Sequence, residues 1–589
     1  MITKILKQYT GGGRSPVRRT GRLAVFAMTV LLAAVSAFGL YRELDWNGEM
    51  GLTAELRAGG RTEPLVCWKS EENVWFVFLP GYAELSQVRL RTHTFRTVKL
   101  DGEYVPDGMN CGELELGKEY GIVYNGADYY PLVFLRSENC PALFLDTDSG
   151  SMDHIKAQKG NRESGVIRLY DEQGSLVYSG ALDSVKGRGN ASWIRSKKPY
   201  SLSLSQPGDL LGMGAARKWI LLANAYDGSS LRNRIAADLA MAVGMEATPD
   251  CRWVDLYLNG EYAGLYLLSE RNEIYETRVD IPLGSSFLLS VEPEYRLADQ
   301  NYPYVKSELG TAFRIHEGLL DPQRIRQMLQ SVENAIVSET DTDPVTGKTL
   351  DQLIDMDSWA RKYLLEEVLA NYDAGAVSHF YYGTEDGKIF AGPIWDYDGA
   401  LGYTSWQSAN PQGILAGREV VRTGVYPWFY GLWQKENFRS RVIELYREEF
   451  RPALEQILTE QVPRYASGIR KATEMNARRN HTEDTAESTQ RILSFMEKRL
   501  EFLDSYWLEG ETFHLVQVFN DADTWGCFAV RDGEVLTGLP EAADRGQTVC
   551  LGWYDVDTGE PFDVTGPVTG DCRIALKWKN GEKVFYEKS

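Results

Sequence analysis

The sequence predicts an α+β protein whose mixed central domain is flanked by small β domains, on three observations. From about Gly51 to Asp146, short alternating apolar and polar runs are punctuated by Pro-Gly, Asp-Gly and Asn-Gly turns. Apolar residues then recur at helical spacing over Pro322 to Val337, Leu350 to Leu369, Phe438 to Leu458 and Asp484 to Trp507. Beyond Glu509 the chain turns β-rich again.

The first element is a targeting segment. Residues 1–22 form a basic tail with Lys4, Lys7, Arg14, Arg18, Arg19 and Arg22 and no acidic residue, and they run into the uncharged stretch Leu23 to Leu40. That stretch approaches the ~20 residues needed to span a bilayer, so a retained anchor with its basic end inside is expected. The alternative is a cleaved signal peptide processed near Ala34, Ser36 and Ala37, which would leave a secreted protein. Either way, residues beyond Tyr41 are expected outside the membrane.

Setting those six basic residues aside takes the net charge from −20 to −26, and so acidic an exterior argues against nucleic-acid binding. The seven cysteines form no C-x-x-C pair or Cys/His cluster, which argues against structural zinc. Their odd number and wide spacing leave room for one or two disulfides but no disulfide framework.

Residues 51–140 read as a β-sandwich, such as Val74 to Leu79 and Tyr120 to Tyr124, with no visible chemistry. The central domain, 141–508, opens with a hairpin, Val166 to Tyr170 and Leu176 to Ser179. Next comes the loop Gly187-Arg188-Gly189-Asn190, between a strand ending near Val185 and the strand Pro199 to Leu204. Such a loop lets backbone approach a phosphate, and Arg188 adds charge; a plain turn reads equally well. Strand alternation puts Lys198 with Tyr200, Leu202 and Leu204 on the inward face, where a lysine needs an anion, and leaves Lys197 solvated. A buried strand at Trp219 to Leu222, a helix after Asp227 and a hairpin about Asn259-Gly260 follow. That hairpin ends at Glu270, either a strand-end surface charge or a group directed into the cleft beside Lys198.

The stretch Asn371 to Gly402 carries the densest chemistry. Asp373 lies in a loop after the helical run Trp359 to Leu369. His379 to Tyr382 reads as a strand that turns at Glu385-Asp386-Gly387 and returns through Ile389 to Trp395, ahead of Asp396 and Asp398. A loop carboxylate followed one hairpin later by another is the layout protein kinases use, one Asp orienting the acceptor hydroxyl and the other holding Mg²⁺. Asp caps and turns explain the same residues without chemistry. His379 reads as a packed or solvent-facing neighbour, and Trp428, Phe429 and Trp433 as core rather than an adenine-stacking surface.

The blocks GRGNASW, KKPYSLSL, LLGMGAARKWILLANAYDGSSLRN, YLNGEYAGLYLLSE and NYDAGAVSHFYY with GPIWDYDGALG resemble, in family order, the CotH family of spore-coat-type atypical protein kinases. The resemblance implies a divergent kinase-like two-lobed fold that binds ATP and Mg²⁺ and phosphorylates Ser or Thr of a protein acceptor. It matches Asp373 to the catalytic-loop Asp, Asp396 to the metal-binding Asp with Asp398 as a second ligand, Lys198 to the phosphate-contacting Lys, and Arg188, Asn190 and Glu270 to the nucleotide site. Ser378 stands five positions after Asp373, where several members carry Asn, so it is the expected hydroxyl ligand to a second Mg²⁺ and a weaker one. Residues 511–589 resemble one internalin-type B repeat, a β-grasp-like module of bacterial surface proteins, through Leu539-Pro540, Gly552-Trp553-Tyr554, Phe562 and Lys577-Trp578.

The reading that follows is a membrane-anchored, surface-exposed kinase. A surface adhesin that keeps the fold without strong activity is the alternative. Paired-carboxylate glycoside hydrolysis needs only two spaced acids and would leave Arg188, Lys198 and the glycine loop unexplained.

Overall fold

The computed structural model describes residues 52–92, 97–124, 128–403, 408–419, 426–521, 524–580 and 583–586. The segment Leu23 to Leu40 lies outside them, and among the described residues no helix is long and apolar enough to cross a membrane. The chain divides into two compact units, one holding most of residues 1–134 and the other mainly Leu135 to Ser589. The first carries a four-stranded and a six-stranded sheet.

The second unit begins with a closed barrel. Its strands are β1 (Ala142–Thr147), β2 (Arg162–Tyr170), β3 (Leu176–Gly187), β4 (Tyr200–Asp209), β5 (Ala215–Leu222), β6 (Cys251–Leu258) and β7 (Glu261–Glu270), in spatial order β1-β2-β3-β4-β5-β7-β6. A parallel pairing of β1 with β6 closes it. Alternation explains the closure: Tyr200, Leu202, Leu204, Trp219, Leu221, Tyr266 and Leu268 point into one apolar cluster. On β3, Leu182 and Val185 are both inward although three positions apart, because a register shift between Leu182 and Ser184 inserts a residue. That bulge puts Ser184 and Lys186 on the outer face. The β6–β7 turn places Asn259 at φ 50° and Gly260 at φ 81°, the left-handed pair of a type I′ hairpin.

Between β5 and β6 runs helix α1 (Arg232–Ala242). A second sheet follows, built from β8 (Ser286–Val291), β9 (Tyr304–Lys306), β10 (Ala312–Glu317), β11 (Phe380–Thr384) and β12 (Ile389–Ala391) in the order β9-β10-β8-β11-β12. Helices α2 (Pro322–Val337), α3 (Met356–Val368) and α4 (Thr485–Trp507) share the largest apolar cluster of the molecule with it, through Trp359, Leu364, Val368 and Met496 among others. Trp428 and Phe429 are buried there, and Trp433 stacks on Tyr363 at 5.2 Å. The helical periodicity expected over Leu350 to Leu369 is broken at Ile354 and Asp355, where Asp355 caps α3 by accepting from the Ser358 N–H at 2.9 Å.

The chain ends in a sheet of β13 (Phe513–Asp521), β14 (Thr524–Arg531), β15 (Val549–Asp555), β16 (Cys572–Asn580) and β17 (Lys583–Tyr586). Its order is β14-β13-β16-β15, with β17 also paired to β16. All seven cysteines are free thiols.

Candidate functional site

A cleft of about 990 Å³ opens between the outer face of the barrel and the second sheet. From the barrel side it is lined by Ser184, Lys186 and Arg188 of β3 and its loop, Ser201 and Ser203 of β4, and Lys218 of β5. The opposite wall supplies Asp373, Ser378, Asp396 and Asp398, together with Arg314 and His316 of β10. Asp373 and Asp396, 23 positions apart in sequence, thus meet at one cavity because β11 and β12 return the chain to its starting point.

Local backbone conformation sets the acidic wall. Ser378 and Asp396 both sit in the left-handed region, at φ 62° and 67°, a state disfavoured for a Ser and tolerated by an Asp. The Ser378 hydroxyl donates to Asp396 Oδ2 at 3.3 Å. Asn233, in the first turn of α1, holds the Asp396–Asp398 turn from behind. Its amide Nδ2 donates to Asp398 Oδ1, and its Oδ1 accepts the Tyr397 N–H at 3.0 Å. Desolvation and then the neighbouring Asp396 push the Asp398 carboxyl up to about 7. Asp398 is therefore harder to ionise than an exposed carboxyl. His379, behind this wall, is buried, accepts the Gly375 N–H at 3.0 Å, and is pushed down to about 4 by burial. It is a packed residue.

The basic wall begins at the glycine loop. Gly189 has φ 76°, and a Cβ there would stand 2.1 Å from Ser192 Oγ, so the position requires glycine. Lys159 ties the loop down by donating to Gly189 O at 2.9 Å and Asn190 Oδ1 at 3.1 Å. The Arg188 guanidinium lies 4.7 Å above the Trp395 ring. Desolvation pulls it down to about 10 against the opposing pull of Asp396 and Asp398.

Two residues expected in this site lie elsewhere. Lys198 does not line the cleft: its ammonium donates to Trp193 O at 2.6 Å and rests 5.0 Å from the Trp193 ring, bracing the loop from behind. The inward and outward assignments of the lysine pair are reversed as well, since Lys197 is buried at 5% exposure, donating to Leu265 O, and Lys198 is half-buried. The strand begins only at Tyr200, and Pro199 offers no N–H to extend the ladder, so alternation cannot be carried back through it. Glu270 is neither a surface charge nor a cleft group. It is buried, ion-paired with Arg278, and accepts the Asp250 N–H at 2.9 Å; burial raises its carboxyl to about 7.

Lys186 was missed. It is half-buried on the cleft, its ammonium makes no hydrogen bond or ion pair among the described residues, and desolvation with Arg162, Arg271, Arg314 and Arg188 depresses its basicity. Lys218, by contrast, is neutralised by Glu273 at 3.0 Å and Glu317 at 2.8 Å. The available signal was spacing: Lys186 stands two positions before Arg188, at the end of the strand that leads into the glycine loop.

Among the described residues, no three His, Cys, Asp or Glu side chains form a metal-holding group. The donors Asp396, Asp398 and Ser378 nevertheless suit Mg²⁺, which is commonly held by one or two carboxylates and completed by water and phosphate oxygens. A divalent cation would offset both the desolvation and the neighbouring Asp396 that raise Asp398.

Residues 185–503 match the family described as CotH kinase protein. No curated protein matches the chain.

Proposed function

The chain belongs to the CotH kinase protein family, whose match covers more than half of it, and from that premise we propose that it transfers the γ-phosphoryl group of ATP to Ser or Thr hydroxyls of a protein acceptor. The observation that carries this reading is the cleft itself, where Asp373, Asp396 and Asp398 share one cavity with Lys186 and Arg188. Phosphoryl transfer needs positioned charge more than covalent help, and both signs of charge are present. The barrel and the helical part beyond it would then correspond to the two lobes of a kinase-like fold.

Each residue has a distinct task in this scheme. Asp373 accepts the hydrogen bond of the acceptor hydroxyl and aims its oxygen. Arg188, fixed by Trp395, and Lys186, whose ammonium has no anionic partner among the described residues, meet the phosphate oxygens. Asp396, Asp398 and Ser378 would hold Mg²⁺, which when bound would neutralise charge on the phosphates. Asn190 keeps the glycine loop in place through Lys159. Lys198 supports that loop from behind, and Glu270 belongs to the barrel end.

The acidic body, the apolar Leu23 to Leu40 and the likeness of residues 511–589 to internalin-type B repeats support a place on the outer side of a bacterial membrane. The test is calorimetric binding of ATP to the purified chain with and without Mg²⁺, beside Asp396→Ala. Metal-dependent binding that the variant loses is the expected result. No binding by wild-type protein at millimolar nucleotide would move the reading to a surface adhesin.

A further inference from the structure

The family match ends at residue 503, before the C-terminal sheet begins. That sheet is nevertheless joined to the segment that follows the Asp396–Asp398 turn. The edge strand β14 donates from Ala529 N–H to Gln412 O at 3.0 Å and accepts the Ile414 N–H on Cys527 O at 2.7 Å, so residues 412–414 extend the sheet by a short strand. Asn410 adds a bond from its Nδ2 to Thr537 O at 2.8 Å.

The same segment continues into the acidic wall. Immediately after it, the N–H groups of Leu415, Ala416 and Gly417 all donate to the Glu367 carboxylate of α3, at 2.7 to 3.2 Å. Then Arg418, 4% exposed, donates from Nη2 to Tyr372 O at 3.1 Å and Ala374 O at 2.9 Å. Those two carbonyls flank Asp373. An unbroken run of hydrogen-bonded groups therefore leads from β14 to the backbone on either side of Asp373.

We propose that the C-terminal sheet is an intramolecular brace for the acceptor-orienting loop, with Arg418 as the positioning residue that transmits it to Asp373. A guanidinium bridging two carbonyls around one residue fixes the peptide planes that aim its side chain, and misplacing a catalytic group by an ångström costs rate steeply. The catalytic consequence rests on the phosphotransferase reading; the mechanical link does not.

Ala529→Pro in the full chain tests the link. The Ala529 N–H points away from the β13 partner, so proline removes the bond to Gln412 and no β13–β14 bond; because Ala529 is fully buried, urea unfolding of the variant is measured first, and Arg418→Met decides the link if the variant does not fold. Hydrogen–deuterium exchange without nucleotide is expected to rise in both 410–418 and 371–379, with the barrel, 142–270, unchanged. Arg418→Met, which leaves the sheet intact, should loosen 371–379 alone, and Arg418→Lys should restore part of the protection. In activity, both Ala529→Pro and Arg418→Met should lower kcat by about ten- to a hundredfold with KM for ATP within about twofold. Opening of 410–418 with no change at 371–379, or full protection of 371–379 in Arg418→Met, would overturn the brace. If wild-type protein does not bind ATP, the phosphotransferase reading falls while the exchange measurement still decides the link.

Discussion

Glu367 and Asp398 are carboxylates of the same unit held in opposite ways. Glu367 has no exposed surface and is saturated: three backbone N–H groups and the Arg499 guanidinium, at 2.7 Å, surround it. Asp398, half-buried on the cleft, is held by Asn233 and pressed by Asp396, and its carboxyl is raised to about 7 by desolvation and that neighbour. The difference separates two uses of buried charge. A charge that holds a fold together is neutralised where it stands, whereas a site meant for a ligand keeps part of its charge uncompensated until the ligand arrives.

The strongest challenge to that contrast is Arg499→Met. Arg499 also donates to Pro411 O at 2.5 Å and Gly413 O at 2.7 Å, so its loss strands a buried anion and three carbonyl contacts, counting Glu367 O at 2.6 Å. The expected cost is about 3–5 kcal/mol in urea unfolding. A loss below about 1 kcal/mol would mean that the N–H groups alone satisfy Glu367, and the contrast with Asp398 would weaken.

The cleft should also respond to acid. His316 lines the cleft, its Nε2 lies 2.8 Å from Ser290 Oγ, and burial followed by Arg314 and Arg271 pulls its imidazole down to about 3 from 6.5. Because the folded form binds a proton less readily than the unfolded chain, its stabilising contribution is complete above pH 6.5 and is lost as pH falls from 6.5 towards 3. The steepest loss from this one group is about 1.4 kcal/mol per pH unit. Urea unfolding of wild type and His316→Gln at pH 6.5, 5.5 and 4.5 measures it, the expected result being a shallower fall in the variant. Parallel curves would show that His316 titrates normally.

The distance between what the residues announce and what the fold does follows the same division. The Asn259-Gly260 hairpin, the helix Pro322–Val337 and the meeting of Asp373 with Asp396 were legible because each depends on local turn chemistry or periodicity. The central CotH kinase domain was legible from its ordered blocks. Lys197, Lys198 and Lys186 were not, because which face a strand residue takes depends on where the ladder starts and on bulges, here Pro199 and the shift after Leu182. Glu270 was misplaced for a related reason: its partner Arg278 lies beyond the strand end, in a segment no periodicity describes. The link from β14 to Arg418 was hidden altogether, since edge-strand pairing between distant segments leaves no sequence pattern.

The smallest effects fall on the pair of lysines that the structure exchanges. Lys186, a cleft cation with no anionic partner among the described residues, should matter to a phosphate ligand, so Lys186→Ala is expected to weaken ATP binding about tenfold, as loss of one charge-assisted contact does. Lys198, turned towards Trp193 O, should matter only through the loop it supports, and Lys198→Ala should change ATP affinity by less than about threefold. Calorimetry on both variants at one ionic strength makes the comparison, since exposed cationic contacts weaken with salt. If the order were reversed, the glycine loop would have to turn Lys198 into the cleft when nucleotide binds, and the contrast between saturated and unsatisfied charge would then describe the ligand-free state alone. If both losses were small, Arg188 and Arg314 would carry the phosphate between them, and the double variant Arg188→Ala with Arg314→Ala would show the missing tenfold.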